Sequence, residues 1–221
     1  MKLLAEALAK FTAGLLMVGV LIFLPAGTLA YMGGWLLVGL LFVPMLIAGF
    51  IMLAKSPEFL KKRLDAKEKQ GTQKGVVAFS GLMFIAGFVV AGLDFRFGWS
   101  AVPTWVVITA CVLFLVAYAL YAEVMRENAY LSRTIKVEEG QQVVDTGLYG
   151  IVRHPMYAVT ILLFLMIPLV LGSWYALIAF AFYPAIIIVR LKDEEELLTR
   201  ELAGYAEYKQ KVKYRIIPYI W

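Results

Sequence analysis

The chain has 221 residues, of which 62% are hydrophobic and only 17% charged, and its mean hydropathy is +0.80. Soluble domains run roughly 45–50% apolar and about 25% charged, so a water-soluble globule is excluded, and disorder would need the opposite composition. A single Cys and a single His exclude a disulfide scaffold and leave too few soft ligands for a zinc or iron–sulfur site.

Six apolar stretches follow one another: 8–24, 34–54, 76–93, 102–121, 156–171 and 174–189. A helix crossing a bilayer needs about 20 residues. The second and fourth stretches meet that length well, and the last two are short. The pattern predicts an all-α, polytopic membrane protein with about six transmembrane helices. Twenty of the 21 Lys and Arg residues fall in alternate gaps. Cytoplasmic loops hold the excess of bases, so both termini are expected in the cytoplasm. The active face is expected there too, at the cell membrane of a prokaryote or the endoplasmic reticulum of a eukaryote.

The first stretch follows Lys10 and precedes Gly27-Thr28-Leu29-Ala30. That resembles a signal peptide but reads better as a retained first span. The gap 55–74 holds seven bases, including Lys61-Lys62-Arg63, Lys67 and Lys69. It reads as a plain solvated loop that sets topology, with anionic headgroups as a second role. A soluble basic domain is lacking, so nucleic acid is not an expected partner. Trp35, Trp99, Trp105, Trp174 and Trp221 fall at span ends, where interfacial aromatics belong. Cys111 lies mid-span and reads as inert packing. The first four spans carry no internal Asp, Glu, His, Lys or Arg away from their ends. Proton relays and ion-coupled carriers need such residues, so the chemistry is expected at the cytoplasmic edge.

Residues 120–221 carry the richer pattern, and 1–119 read as helical support. The fifth and sixth stretches form a hairpin around Gly172-Ser173, which brings their polar flanks together. One flank reads Glu127-Asn128-Ala129-Tyr130-Leu131-Ser132-Arg133, then Thr146-Gly147-Leu148-Tyr149-Gly150-Ile151-Val152-Arg153-His154-Pro155-Met156-Tyr157. Gly147 and Gly150 permit a tight turn. Pro155 suits a first helical turn, leaving Arg153 and His154 at a helix N-terminus that favours an anion. Arg153 alone reads best as a snorkelling base. The other flank holds Glu194-Glu195-Glu196 and ends Tyr214-Arg215-Ile216-Ile217-Pro218. Leu191, Leu198, Leu202, Tyr205, Tyr208 and Val212 recur at helical spacing and predict one C-terminal amphipathic helix. Adjacent helical residues diverge by about 100°, so the three glutamates cannot share a face.

The Thr-Gly-Leu-Tyr and Arg-His-Pro-Met-Tyr strings, the Glu-Glu pair and the Tyr-Arg-Ile-Ile-Pro ending resemble the isoprenylcysteine carboxyl methyltransferase family. The wider group includes phospholipid N-methyltransferases. The resemblance implies S-adenosylmethionine as cofactor, no metal, and a lipophilic acceptor such as a prenylcysteine or a lipid. It implies a cofactor site over Gly147, Leu148, Tyr149, Val152, Arg153, His154, Pro155, Tyr157, Glu194 and Glu195. His154, the turn amides near Gly147–Tyr149 and the helix start are expected to meet the cofactor carboxylate. Glu194 or Glu195 is expected at the ribose or ammonium, and Leu148, Tyr149 and Tyr157 at the adenine. Arg215 and one glutamate, Glu195, are expected beside the acceptor as the catalytic pair. Membrane lipids are the other expected partners, and the oligomeric state is open. Carboxyl O-methylation of the isoprenylcysteine type is the reaction expected, and three other readings stand: a phospholipid N-methyltransferase, an NADPH-dependent sterol-type reductase of similar fold, and a non-enzymatic membrane scaffold.

Overall fold

The computed structural model describes residues 2–64, 71–131, 135 and 137–221. Lys67, Lys69, Ser132 and Arg133 lie outside the described residues. All regular structure among the described residues is helical. The helices are α1 (Lys2–Ala26), α2 (Met32–Lys55), α3 (Pro57–Leu64), α4 (Gly71–Phe97), α5 (Thr104–Glu127), α6 (Pro155–Val170), α7 (Trp174–Phe180), α8 (Tyr183–Glu201) and α9 (Tyr205–Lys211). A single 3-10 turn occupies Gly147–Gly150.

Among the described residues, five helical segments are long and apolar enough to cross a membrane: α1, α2, α4 from Gln73, α5, and Trp174–Glu201. Helix α6 has 16 residues, about 24 Å at 1.5 Å per residue, against a hydrocarbon core of about 30 Å. The sixth apolar stretch is divided. Pro184 sits in the first turn of α8, where it has no N–H to return to α7 and its ring crowds the preceding turn. Residues 181 and 182 stay right-handed, so α7 and α8 form one bent span.

The helices run up and down, with α5 beside α6 and α1 beside α4. Small residues set the closest approaches. A Cβ on Gly92 would lie 2.5 Å from the Ile22 carbonyl oxygen, and one on Gly87 2.4 Å from the Phe180 ring. Phe114, Phe180, Ile22, Leu37, Ile167 and Leu191 are fully buried along the bundle.

The two ends differ in kind. At one end buried Asp94 accepts from the Ser100 N–H at 2.7 Å, the Ser100 hydroxyl at 2.6 Å and the Ser173 hydroxyl. That ties α4 to the α6–α7 turn and satisfies a carboxylate that would otherwise be costly to bury. The other end gathers the charged segments. Lys62 of α3 pairs with Glu138, and Gln73 of α4 donates to Asp193 of α8 at 2.7 Å.

Two expectations are corrected here. The 55–74 segment is not a plain solvated loop. Its first half is helix α3, which starts on Pro57, buries Leu60 and sends Lys62 and Arg63 to distant residues. The C-terminal amphipathic helix is not one helix. Gly204 takes φ +82°, a left-handed conformation open to glycine, and breaks the chain direction between α8 and α9. The apolar stripe survives the break, since Leu202, Tyr205, Tyr208 and Val212 still form one cluster.

Candidate active site

The site starts from a turn that only glycine can make. Gly147 has φ +53°, and a Cβ there would lie 1.5 Å from Glu127 Oε1. Glu127, at the end of α5, uses that space to accept the Leu148 N–H at 2.9 and 3.2 Å. The Tyr149 and Gly150 N–H groups donate to the Thr146 carbonyl at 3.0 and 3.2 Å. Of the amides near Gly147–Tyr149 expected to meet a cofactor carboxylate, those of Leu148 and Tyr149 are already paired within the chain. The reason is local: a carboxylate of this chain caps the turn.

After the turn, Arg153 and His154 pair with the C-terminal tail by backbone. Their N–H groups donate to the Tyr214 and Arg215 carbonyls at 2.9 and 2.8 Å. Arg153 does not snorkel. It is 7% exposed, beside His154 at 6% and Glu195 at 4%. Arg153 Nε donates to Glu195 Oε1 at 2.7 Å, and its Nη1 to the Val212 and Lys213 carbonyls at 2.8 and 2.9 Å. His154 Nε2 lies 3.3 Å from Glu195 Oε1, and Arg215 Nε donates to Glu195 Oε2 at 3.0 Å. A buried carboxylate thus meets two guanidiniums and an imidazole, with the Val212 and Lys213 carbonyls taking the protons of Arg153 Nη1. Each buried charge has a partner, as burial demands. Arg215 also stacks over the Trp221 ring at 5.2 Å.

The three glutamates divide by helical position. Glu195 enters this cluster, Glu196 is exposed, and Glu194 turns toward a polar cavity. The Tyr157 hydroxyl donates to Glu194 Oε2. Arg190 Nε donates to the Tyr157 oxygen at 3.2 Å, and Arg190 Nη1 to Gln73 Oε1 at 3.1 Å.

The polar cavity encloses about 90 Å³, and about 840 Å³ with its open mouth. Tyr149, Arg153, His154, Tyr157 and Glu194 line it, as expected from sequence. Gly147, Leu148, Val152, Pro155, Glu195 and Arg215 are not among its lining residues. Leu148 packs with Val124 and Leu131, and Val152 donates back to the Leu148 carbonyl at 3.1 Å. Sequence reasoning missed Arg190, Gln141, Gln142, Tyr205 and Tyr208 as lining residues. The two tyrosines had been read as an apolar stripe, and a tyrosine at a stripe position gives no sign of where its hydroxyl points. Tyr208 donates to the Tyr149 carbonyl at 2.7 Å. The Tyr205 hydroxyl is buried against the cavity, and among the described residues nothing hydrogen-bonds it. Burial raises the pKa values of Tyr149, Tyr205 and Tyr208 above the ordinary tyrosine value, so all three stay neutral.

A second cavity of about 1030 Å³ opens among α1–α6 and α8. Its walls are mostly apolar, including Phe11, Leu41, Phe84, Leu115, Leu163 and Ile187. The two cavities share Met156, Tyr157 and Arg190.

These features define an integral, multi-pass membrane protein with a polar pocket and an apolar cavity meeting at its charged end. Residues 104–200 match the isoprenylcysteine carboxyl methyltransferase (ICMT) family. The match runs from the start of α5 almost to the end of α8, less than half of the chain. With the apolar helices it supports an integral membrane methyltransferase. The chain is 33% identical over 91 residues to the Delta(14)-sterol reductase TM7SF2 of Mus musculus, covering 40% of this chain but 22% of that protein. It is 26% identical over 165 residues to the uncharacterized protein YpbQ of Bacillus subtilis, covering 74% of this chain and 95% of that protein.

Proposed function

We propose that this chain transfers the methyl group of S-adenosylmethionine to a lipophilic acceptor, by carboxyl O-methylation of the isoprenylcysteine type, on the cytoplasmic face of its membrane. The observation that carries the reading is the junction of the two cavities at Met156, Tyr157 and Arg190. A polar ligand and an apolar one can meet there without either entering the other's solvent.

The polar pocket suits the cofactor by its donor set. The unpartnered Tyr205 hydroxyl, the Glu194 carboxylate and the Asn128 side chain offer hydrogen bonds to ribose, ammonium or adenine. The Tyr149, Tyr157 and Tyr208 rings offer apolar faces, which also favour a nearby cation. A nucleoside-sized ligand would fill the mouth as well as the enclosed space, since such sites typically measure about 300–1,000 Å³. When bound, the cofactor supplies an electrophilic methyl: its S–CH3 bond breaks as the acceptor's O–CH3 bond forms, leaving a neutral thioether.

The chain's own contribution is positioning, the main lever for a transfer of this kind. Tyr157 is held by Glu194 and Arg190 at the junction. Arg190 keeps the Tyr157 hydroxyl and Gln73 in place, and a basic side chain lining the apolar cavity can take an acceptor carboxylate as a charge-assisted pair. A carboxylate is already ionised at neutral pH, so no general base is needed. Glu195 and Arg215 act as positioning residues, locking the Arg153–His154 corner against the tail. The apolar walls keep water from the transfer.

The match to a sterol reductase favours a second reading, NADPH-dependent reduction of a sterol-like lipid. Thermal unfolding separates the two. S-adenosylmethionine should raise the melting midpoint of the purified protein and NADPH should not. The converse result would overturn the methyltransferase reading.

A further inference from the structure

The apolar cavity has a sign. Among the described residues lining it, Lys10, Arg63 and Arg190 are basic and none is acidic. Arg190 belongs to the Tyr157 junction. Lys10 is matched by Glu6 at 2.7 Å and also donates to the Leu64 carbonyl at 2.9 Å. Arg63 differs from both. It is half-buried on α3, its Nη2 donates to the Tyr121 hydroxyl, and its guanidinium lies 5.5 Å over the Tyr121 ring. Among the described residues it has no carboxylate partner. A guanidinium presents five donors suited to a planar anion. Withdrawing one from water beside apolar walls is costly until an anion meets it.

From this we infer that Arg63 determines acceptor specificity: it receives the anionic end of a long-chain acidic amphiphile whose tail lies in the cavity. The inference rests on the methyltransferase reading for its purpose, but the binding it describes does not depend on turnover. Arg63 lies on α3, outside residues 104–200 that match the family. Acceptor choice is thus set in part by the half of the chain that the matched segment leaves out. A cationic amine lipid would meet the Arg63 guanidinium, which has no carboxylate beside it among the described residues, so the cavity selects against it. The occupant is the acceptor itself, not a bulk membrane lipid.

The test uses the full chain in phosphatidylcholine nanodiscs at neutral pH. Hexadecanoate, hexadecanol and hexadecylamine are titrated into wild type, Arg63→Gln and Arg63→Lys. Wild type should bind hexadecanoate at least about tenfold more tightly than hexadecylamine, a difference of about 1.4 kcal/mol. Arg63→Gln should lose about tenfold for hexadecanoate and leave hexadecanol unchanged, and Arg63→Lys should recover most of the loss. Equal binding of acid and amine, or an unchanged Arg63→Gln, would overturn the inference. So would loss of hexadecanoate binding when phosphatidylglycerol replaces phosphatidylcholine, since membrane lipid would then own the site. S-adenosylmethionine binding is measured on the same samples. It should persist in Arg63→Gln, which also shows that the variant is folded. Its absence from wild type beside retained acid selectivity would sink the methyltransferase reading and leave the inference standing.

Discussion

Glu195 answers to Arg153, His154 and Arg215 at once, so removing its charge takes the carboxylate from all three. Glu195→Gln keeps the shape and removes the charge. Arg153 is then buried without a carboxylate, and breaking such a pair by removing one partner costs about 3–5 kcal/mol. The expected outcome is a lower melting midpoint together with loss of S-adenosylmethionine binding. Glu196→Gln, one residue away and exposed, should stay within about 0.5 kcal/mol of wild type. Gly147→Ala must adopt a positive φ and drive its Cβ into Glu127. It should cost more than about 1 kcal/mol and uncap Leu148, as denaturant unfolding would show. At this scale the sequence located the motif well. Arg-His-Pro-Met-Tyr and the acidic run do converge. What it could not give was direction: which glutamate turns inward depends on how α8 is rotated, and what fills the space beside Gly147 depends on α5.

The elements that carry the site are held by tyrosines. Tyr208 joins α9 to the 3-10 turn through the Tyr149 carbonyl, and Tyr205 packs in the same cluster. Burial raises all three hydroxyls above the ordinary value near 10. The folded chain therefore keeps protons that the unfolded chain releases. This contribution is complete below about pH 10 and is lost as pH rises through the range above it. Melting midpoints measured from about pH 8 to about pH 11 should fall at the alkaline end, and Tyr208→Phe should show a smaller alkaline fall. The helices themselves were legible as apolar stretches. Their interruptions were less so. Pro184 sits inside an apolar run and Gly204 inside an apolar stripe, and periodicity runs through both without registering the bend.

At the scale of the molecule, composition and charge gave a polytopic protein, and among the described residues five helical segments have the length and apolarity that this requires. The bundle brings charged segments from both halves of the chain together at one end, through the Lys62–Glu138 and Gln73–Asp193 contacts. The apolar cavity was not legible. It lies among α1–α6 and α8 at that end, and the space left between packed helices leaves no mark on hydropathy. Yet the cavity gives the account its content, because it ends on Tyr157 and Arg190, where the polar pocket also ends. The most direct test is transfer of a labelled methyl group from S-adenosylmethionine by the purified protein, offered farnesylcysteine analogues beside a total phospholipid extract. The account predicts saturable labelling of the farnesylcysteine carboxyl, released as methanol on mild base treatment and abolished by Glu195→Gln. Label in a base-stable N-methyl lipid, or no transfer from a protein that binds the donor, would contradict it.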